Sequence, residues 1–204
     1  WSTKVVTTQD LDKSKHLIKT QKSLELPDSA LPIEPYVLGV WLGDGHSNCG
    51  RITEHANDVD SLISRIESFG YDCLPVYRYK DSNAATFTIS GLSADLKQSG
   101  LLHNKHIPQQ YLRSSKQQRQ MLLCGLMDSD GGINRKTRQC SFTNTNELLV
   151  DQFVELASSL GIKTTKLARE REALKAANGS VYERAIEYQI SFSCSDEDIV
   201  FLMP

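Results

Sequence analysis

Four helices stand out in the pattern of apolar and polar positions along the chain. Apolar residues recur at helical spacing in 58–69 and 147–160, and a glycine that suits a helix end follows each stretch, Gly70 in one and Gly161 in the other. Two further stretches, 36–42 and 121–127, are strongly apolar and run directly into acidic residues and a glycine. The pattern therefore predicts two amphipathic helices and two apolar ones.

Alternating segments predict strands at 51–55, 74–80 and 139–144, and the stretches TFTIS (86–90) and EYQIS (187–191) have the same pattern. Within 77–80 a period of two places Arg78 and Lys80 on one face and Tyr77 and Tyr79 on the other. A sheet that packs its tyrosine face on helices would turn the basic face toward phosphates. The open alternative is an ordinary solvated sheet face.

The chain contains an internal repeat. VLGVWLGDG (37–45) and LCGLMDSDG (123–131) align in order, spacing and chemistry with an offset of 86 residues, which places Asp44 on Asp130. An amphipathic helix and an alternating strand follow each motif in the same order. Two copies of one α+β unit are the simplest interpretation.

Small residues recur four positions apart in each motif: Gly39 and Gly43 in the first, Gly125 and Ser129 in the second. Residues four apart lie on one helical face, so two such helices can approach until their backbones almost touch. Glycine inside a helix costs about 1 kcal/mol relative to alanine. Its presence at the same position of both helices therefore indicates close packing of the two.

Asp44 and Asp130 close these helices, and each is followed by a glycine suited to a C-terminal turn. A carboxylate there faces the negative end of the helix dipole, and two carboxylates brought close together repel unless they are protonated or bridged by a cation. Oxygen ligands of this kind suit Mg²⁺, with phosphate oxygens and water completing the coordination. A calcium loop starting at Asp128 is excluded, because its fifth and twelfth positions fall on Gly132 and Gln139.

Composition narrows the class of protein. With 39% apolar residues, no apolar run of membrane-spanning length and no secretory signal, the chain is expected to be soluble and intracellular: cytoplasmic, nucleoid-associated or nuclear according to its host. The five cysteines form no CxxC pair, which argues against a disulfide framework and a thiolate zinc site. The net charge of −2 does not indicate nucleic-acid binding, but a basic face on a neutral protein suffices for phosphate contacts.

The two motifs resemble the paired signature helices of LAGLIDADG homing endonucleases. Two further blocks fall in the family's order: LLHNKHIPQQYL (101–112) resembles the lysine-bearing block, and LVDQFVELASSLGIK (149–163) resembles the block after the second motif. The resemblance covers 31–204 and implies an α+β fold of two pseudo-symmetric repeats of the αββαββα type. It also implies paired central helices and a saddle of two antiparallel sheets. The repeats are expected at 31–112 and 113–204.

The resemblance implies that Asp44 and Asp130 hold Mg²⁺, with Mn²⁺ as a possible substitute, and that Lys105 assists catalysis. The matching basic position of the second repeat falls on Ala185, so Arg184 beside it is the candidate. The implied partner is double-stranded DNA with a long recognition site, bound by a monomer with internal pseudo-two-fold symmetry and no membrane association. Candidate DNA-binding residues are Arg51, Arg78, Lys80, Arg135, Lys136, Arg138, Lys166, Arg169 and Arg171.

The segment STKVVTTQDL (2–11) is similar to the end of the first half of an intein splicing domain, so 1–30 is expected to be a splicing-domain remnant and linker. Trp1 is not a splicing nucleophile, and no His-Asn pair precedes Pro204. We therefore expect an intein endonuclease region, with a replication protein as the candidate host, that does not splice as this segment alone.

Two alternatives from other classes are weighed. A weakened or decayed endonuclease, or a maturase-like module, would bind DNA or RNA without cutting it, and the departure at Ala185 also permits a nicking enzyme. Both acidic positions are intact, which argues against decay. An enzyme that uses the carboxylates as general acid and base on a small molecule lacks a His or Glu placed in parallel in both repeats.

Overall fold

The computed structural model describes residues 4–12, 14–16, 21–80, 82–171, 174–175, 181–182, 185–193 and 201–202. After a short 3₁₀ turn at Thr8–Asp10, the described chain forms six α-helices and nine strands. None of the helices in these ranges has the length and apolar character needed to cross a bilayer.

Two helices lie at the centre, α1 (Pro35–Asp44) and α5 (Lys116–Asp130). Glu34 caps α1 by accepting a hydrogen bond from the backbone N–H of Val37, and Ser115 caps α5 in a capping box with Gln118. A Cβ added to Gly39 would lie 2.9 Å from Gly125 Cα, and one added to Gly125 would lie 3.0 Å from Gly39 Cα. The helices therefore touch backbone to backbone, and the predicted close packing of the two motifs is confirmed.

The first repeat builds a three-stranded antiparallel sheet in the order β1-β3-β2. Its strands are β1 (Arg51–His55), β2 (Tyr77–Arg78) and β3 (Ala84–Thr88). Its helices are α2 (Val59–Glu67), α3 (Leu92–Gln98) and the short α4 (Gln109–Leu112). The predicted strand 51–55 is confirmed, whereas only two residues of the predicted strand 74–80 form a strand.

The second repeat builds a four-stranded antiparallel sheet in the order β4-β5-β9-β6. Its strands are β4 (Gly131–Asn134), β5 (Gln139–Asn144), β6 (Thr164–Arg171) and β9 (Ala185–Ser193), and α6 (Glu147–Ser159) packs beside them. A separate pair is formed by β7 (Leu174–Lys175) and β8 (Val181–Tyr182). The predicted strand 139–144 is confirmed.

The two sheets are related by strand order. After α1, Gly45 forms an isolated bridge to Ile52 on β1; after α5, Gly131 on β4 pairs with Phe142 on β5. Strand β1 therefore corresponds to β5. Within the described residues, the first repeat has only this bridge at the position that β4 occupies in the second. Ile52 pairs with Phe87 and Phe142 with Ile190, which equates Phe87 with Ile190. The sequence alignment of TFTIS with EYQIS is therefore shifted by two residues. A shift of two leaves every side chain on its predicted face.

One apolar core runs through both repeats. The buried residues form a continuous cluster that extends from Ile33 before α1, across both central helices, to Phe192 at the end of β9. Cys124 and Cys140 belong to this core, and neither they nor the partly exposed Cys49 and Cys73 form a disulfide. The fold is therefore α+β, with two pseudo-symmetric units around paired helices, as the sequence predicted.

The segment before α1 packs on the second repeat. Arg119, fully buried at the start of α5, donates hydrogen bonds to the backbone oxygens of Leu24, Ser114 and Ser159, and the backbone N–H of Leu24 donates to Ser159 at 2.9 Å. A buried guanidinium is costly unless its donors are satisfied, and here main-chain oxygens satisfy them. Part of the segment predicted to be a linker, 21–30, is thus tied to the body of the fold.

Candidate active site at the ends of the paired helices

Asp44 and Asp130 end the two central helices on the same side of the molecule. A Cβ added to Gly43 would lie 3.4 Å from Cγ of Asp130, so the second carboxyl group rests against the last turn of the first helix. The glycines that follow have ordinary extended backbone, with φ of −73° at Gly45 and −96° at Gly131. The prediction of a glycine-type C-terminal turn is therefore wrong.

Steric crowding explains why glycine is needed at positions 45 and 131. A Cβ on Gly45 would lie 2.6 Å from Cγ of Trp41, and one on Gly131 would lie 2.6 Å from Cα of Met127. Each chain turns back tightly over its own helix, and a side chain has no room there. The segment that follows each glycine therefore runs past the end of the helix, and the aspartate is left as the last residue of that helix.

Burial and charge act together on Asp44. Desolvation, followed by the negative charges of Asp130 and Glu54, raises the pKa of the Asp44 carboxyl from its ordinary value of 3.8 to about 7, and the positive charge of Lys105 partly opposes this. Without a cation, the ionised form of Asp44 is disfavoured. A carboxylate arrangement of this kind gains from binding positive charge.

Asp130 has a different neighbour. Burial raises the pKa of its carboxyl, while a hydrogen bond from Asn144 Nδ2 to Asp130 Oδ2, 2.7 Å long, and the charge of Lys105 lower it. Asn144 Oδ1 also accepts from the backbone N–H of Asn146, whose side chain caps α6. The second carboxylate is therefore fixed in orientation by a neutral amide.

Lys105 lies near both carboxylates and interacts electrostatically with each. Its Nζ donates to the backbone oxygens of Leu42 and Gly43, each at 3.0 Å, and lies 5.1 Å from the centre of the Trp41 ring. Burial lowers the pKa of this amine to about 8, and the charges of Asp130 and Asp44 oppose the shift. The ammonium group thus covers the negative end of the α1 dipole beside both acids.

The loop that carries Lys105 is held by the second repeat. Asn146 Nδ2 donates to the backbone oxygen of Lys105 at 2.8 Å, and Gln152 on α6 bonds both the N–H and the carbonyl of Ile107. The predicted position of Lys105 near the acids agrees with these contacts. The matching residue of the second repeat, Arg184, lies outside the described residues.

Sequence reasoning missed three polar neighbours of the site: Glu54, Asn144 and His46. By register Glu54 and Asn144 occupy equivalent positions of β1 and β5, two residues beyond Ile52 and Phe142. His46 follows Gly45, and its Nε2 lies 2.8 Å from Thr53 Oγ1. The only signal available beforehand was their place within the repeated strands and turns, which does not give a contact across elements.

The donor set fits Mg²⁺. Among the described residues, no three His, Cys, Asp or Glu side chains converge into a complete metal site. Mg²⁺ is usually bound through one or two carboxylates, with substrate phosphates and waters as the other ligands, so Asp44 and Asp130 suffice from the protein side. The raised pKa of Asp44, caused by burial and by nearby negative charge, is the observation that agrees with a site for a cation.

Asp128, the other acid of the second motif, has a structural role. It accepts a hydrogen bond from Tyr36 Oη at 2.8 Å and from the backbone N–H of Leu202, and Arg65 donates to the carbonyl of Leu202. The residue thus ties the segment 201–202 and α1 to α5. Of the two acids in the D-x-D motif, Asp128 therefore has a structural role and Asp130 belongs to the candidate site.

The predicted DNA-binding residues lie on two different faces. Strand pairing places Arg51 with Tyr77 and Thr86 on the face of the first sheet that points away from the buried Ile52 and Phe87. Arg169 and Arg171 lie on the corresponding face of the second sheet. Arg135, Lys136 and Arg138 are exposed in the turn between β4 and β5, and Lys80 is exposed after β2. We call the two faces that point away from the core the open faces.

Arg78 and Lys166 lie on the helix side of their sheets. Arg78 pairs with Ala85 and donates to both carboxylate oxygens of Asp60 on α2, at 2.7 and 2.8 Å. Lys166 pairs with Ile190 and forms ion pairs with Glu147 and Asp151 on α6. The predicted face of Arg78 is therefore wrong, because the alternation of a strand does not say which face packs on helices. DNA binding by Arg78 and Lys166 stays a prediction.

Residues 106–197 match the family model of the homing endonucleases. The matched segment begins one residue after Lys105 and contains Asp130 and most of the second repeat. The replicative DNA helicase DnaB of Mycobacterium intracellulare is 35% identical over 178 residues. That similarity covers 87% of this chain and 27% of the relative, so the chain spans about a quarter of the relative's length.

Solved structures with a similar fold include the homing endonuclease I-DmoI in complex with DNA and Ca. It gives a TM-score of 0.48 at 14% identity, over 79% of this chain and 83% of that one. The N-terminal LAGLIDADG domain of DUF199/WhiA gives 0.45 at 12% identity, over 81% and 79%. Similarity this distant says nothing by itself about what the present chain binds or cuts.

Proposed function

We propose that the chain is a site-specific endonuclease of the LAGLIDADG homing type, which cuts both strands of duplex DNA with Mg²⁺, or Mn²⁺ in its place. The observation that carries the proposal is the meeting of Asp44 and Asp130, from duplicated helices in backbone contact, beside the buried amine of Lys105. Folding alone does not require two acids at this place, because their mutual repulsion opposes it.

The residues divide the chemistry among them. Asp44 and Asp130 would hold the divalent ion, which when bound stabilises charge on the phosphate and makes a water molecule more acidic. Lys105, anchored on the carbonyls that end α1, would stabilise negative charge growing on the phosphodiester. Its pKa of about 8 also allows it to give or accept a proton near neutral pH.

The context we propose is an intein within a replicative helicase. Support comes from the match of 106–197 to the homing endonuclease family and from the DnaB-type relative, of which the similar region forms only a part. The similarity of 2–11 to splicing-domain sequence agrees with this. We further propose a monomer, since one continuous core includes residues of both central helices and of both sheets. We propose that it acts on DNA inside the cell.

Cleavage of duplex DNA is the direct test. A supercoiled plasmid library containing random inserts is incubated with the chain in Mg²⁺ or in EDTA, and cut molecules are recovered. We expect linear product only with Mg²⁺, and a loss of at least 100-fold in rate for Asp44→Asn and for Asp130→Asn. The matched control is Asp128→Asn, which changes an acid of the same motif that contacts Tyr36 and Leu202 and should keep cleavage within a few-fold.

Binding assays separate the enzyme from the alternative. If both Asn variants bind the recovered duplex like the unmodified chain but do not cut it, the acids act in catalysis. An unmodified chain that binds duplex DNA and never cuts it would instead establish a non-catalytic binding module. Nicked but not linear product would indicate that only one of the two centres works.

A further inference from the structure

The open face of the second sheet is rich in hydrogen-bonding side chains. Ser141, Ser191 and Thr165 lie side by side across β5, β9 and β6, on the opposite face from the buried Phe142 and Ile190. Gln189 and Arg169 continue this face along β9 and β6. Amide, hydroxyl and guanidinium groups therefore cover an area three strands wide.

These groups surround a hollow of about 550 Å³. Its polar lining is formed by Asn134, Gln139, Ser141, Arg169, Gln189 and Ser191. Within the described part of the chain, the side chains of Gln139 and Gln189 make no hydrogen bond to another residue. Both amides are free to pair with a partner that enters the hollow.

Positive charge surrounds the same face. Arg169 lines the hollow, Arg171 follows on the same face of β6, and Arg135 and Lys136 are exposed in the turn from β4 to β5. The acid on this face, Glu187, lies 4.0 Å from Arg171. The surroundings therefore complement a polyanion.

The open face of the first sheet offers much less hydrogen bonding. Thr86 is 6% exposed, and the hydroxyl of Thr53 is engaged by His46. The large apolar side chains exposed here are Tyr77 and Tyr79, whose ring centres lie 4.9 Å apart in an edge-to-face contact. Arg51 is also exposed on this face. This face is smaller, and apart from Arg51 its described residues present aromatic rings rather than amide or guanidinium groups.

We propose that the two halves of the DNA target are read unequally: base specificity is concentrated in the half that the second sheet contacts, through Gln139, Gln189 and Arg169. The proposal rests on the proposed function. In the major groove a glutamine amide matches the edge of adenine and an arginine that of guanine, whereas tyrosine rings give contacts of low base specificity. The half contacted by the first sheet is held with weak base preference.

Selection from random DNA tests this. A pool of duplexes with about 30 randomised base pairs, roughly three helical turns, is bound to the chain in EDTA, enriched and sequenced, so that binding is measured without cleavage. We expect a lopsided preference profile. In its strong half, Gln139→Ala and Gln189→Ala should each reduce the preference for adenine at a few positions by about tenfold, the effect of losing one bidentate base contact.

Matched controls locate the effect. Gln98→Ala changes an exposed glutamine on α3 and should leave the profile unchanged. Tyr77→Ala should weaken binding without altering base preference in the strong half. Melting temperatures of all variants close to that of the unmodified chain show that folding is intact.

The outcomes separate this inference from the proposed function. An even profile, or a strong half that Gln139→Ala and Gln189→Ala do not change, overturns the inference even if the selected duplex is cut. A lopsided profile that depends on these glutamines supports it, even if no duplex is ever cut and the endonuclease proposal fails. A pool without any enrichment overturns both.

Discussion

The two acidic centres differ more than the helices that carry them. The helices meet through Gly39 and Gly125 in reciprocal contact, and each ends in an aspartate. Around the aspartates, however, equivalent strand positions hold Glu54 in the first repeat and Asn144 in the second. Direct contact between two helix backbones tolerates almost no added side-chain atoms, whereas the polar residue beside each aspartate can differ between the repeats. The centres are therefore alike in position and unlike in charge.

The largest expected effect comes from disrupting the helix contact that both repeats form through Gly39 and Gly125. A Cβ on Gly125 would lie 2.9 Å from the backbone nitrogen of Val40, and backbone atoms cannot move aside as a flexible side chain can. Gly125→Val should lower the free energy of unfolding by about 3 kcal/mol or more, the upper range for overpacked cores. Urea unfolding followed by circular dichroism measures this.

The control is Gly132→Ala on β4. Among the described residues, a Cβ there meets only Ser141 Oγ, at 3.7 Å, so this change should be neutral or stabilise by up to about 1 kcal/mol. Equal destabilisation by Gly125→Val and Gly132→Ala would refute backbone contact between the helices.

An intermediate effect comes from making the centres more alike in charge. Glu54→Gln removes a negative charge that raises the pKa of Asp44, so the cut made at that centre should remain active to lower pH. Asn144→Asp replaces a donor to Asp130 by a carboxylate, and the other cut should require higher pH. We expect opposite shifts of roughly half a unit to one unit in the two pH profiles.

Strand-resolved rates measure these shifts. A duplex labelled differently on its two strands gives one pH profile per strand for each variant. Shifts of the same direction in Glu54→Gln and Asn144→Asp, or no shift in either, would contradict the difference between the centres.

The last expected effect is a pH dependence in the stability of the metal-free protein. The pKa of Asp44 is raised in the folded state from 3.8 to about 7, so its stabilising contribution is fully present below 3.8 and is lost as the pH rises through about 7. Stability in EDTA should fall over this window, and Mg²⁺ should restore it by binding the folded state. Urea unfolding across the window should show a flatter pH dependence for Asp44→Asn, and an identical dependence would contradict the assignment.

Much of this architecture could be predicted because it is repeated in the sequence. The spacing of Gly39 and Gly43 matches that of Gly125 and Ser129, and this pattern predicted the contacting helices and the acids at their ends. The strands 51–55 and 139–144 alternate clearly enough to be located to the residue. Because the unit is duplicated, each element could be predicted independently from both copies.

The rest depends on contacts between elements, which no local pattern encodes. The pairing of Asn144 with Asp130 needs the register of β5 against the end of α5. Alternation divided residues 77–80 into two faces, but only the position of α2 decides that Arg78 points to an acid on that helix. The glycine at 45 is required by the closeness of Trp41, which follows from the path of the chain rather than from φ.

Binding of Mn²⁺ tests most directly whether the two aspartates form one cation site. The loss of the free-ion electron paramagnetic resonance signal gives the affinity for the unmodified chain and for the double variant Asp44→Asn, Asp130→Asn, each bound to the selected duplex. We predict binding that weakens about tenfold from about pH 8 to about pH 6 as Asp44 is protonated, and its loss in the double variant. Equal Mn²⁺ affinity of the two proteins at both pH values would contradict the account.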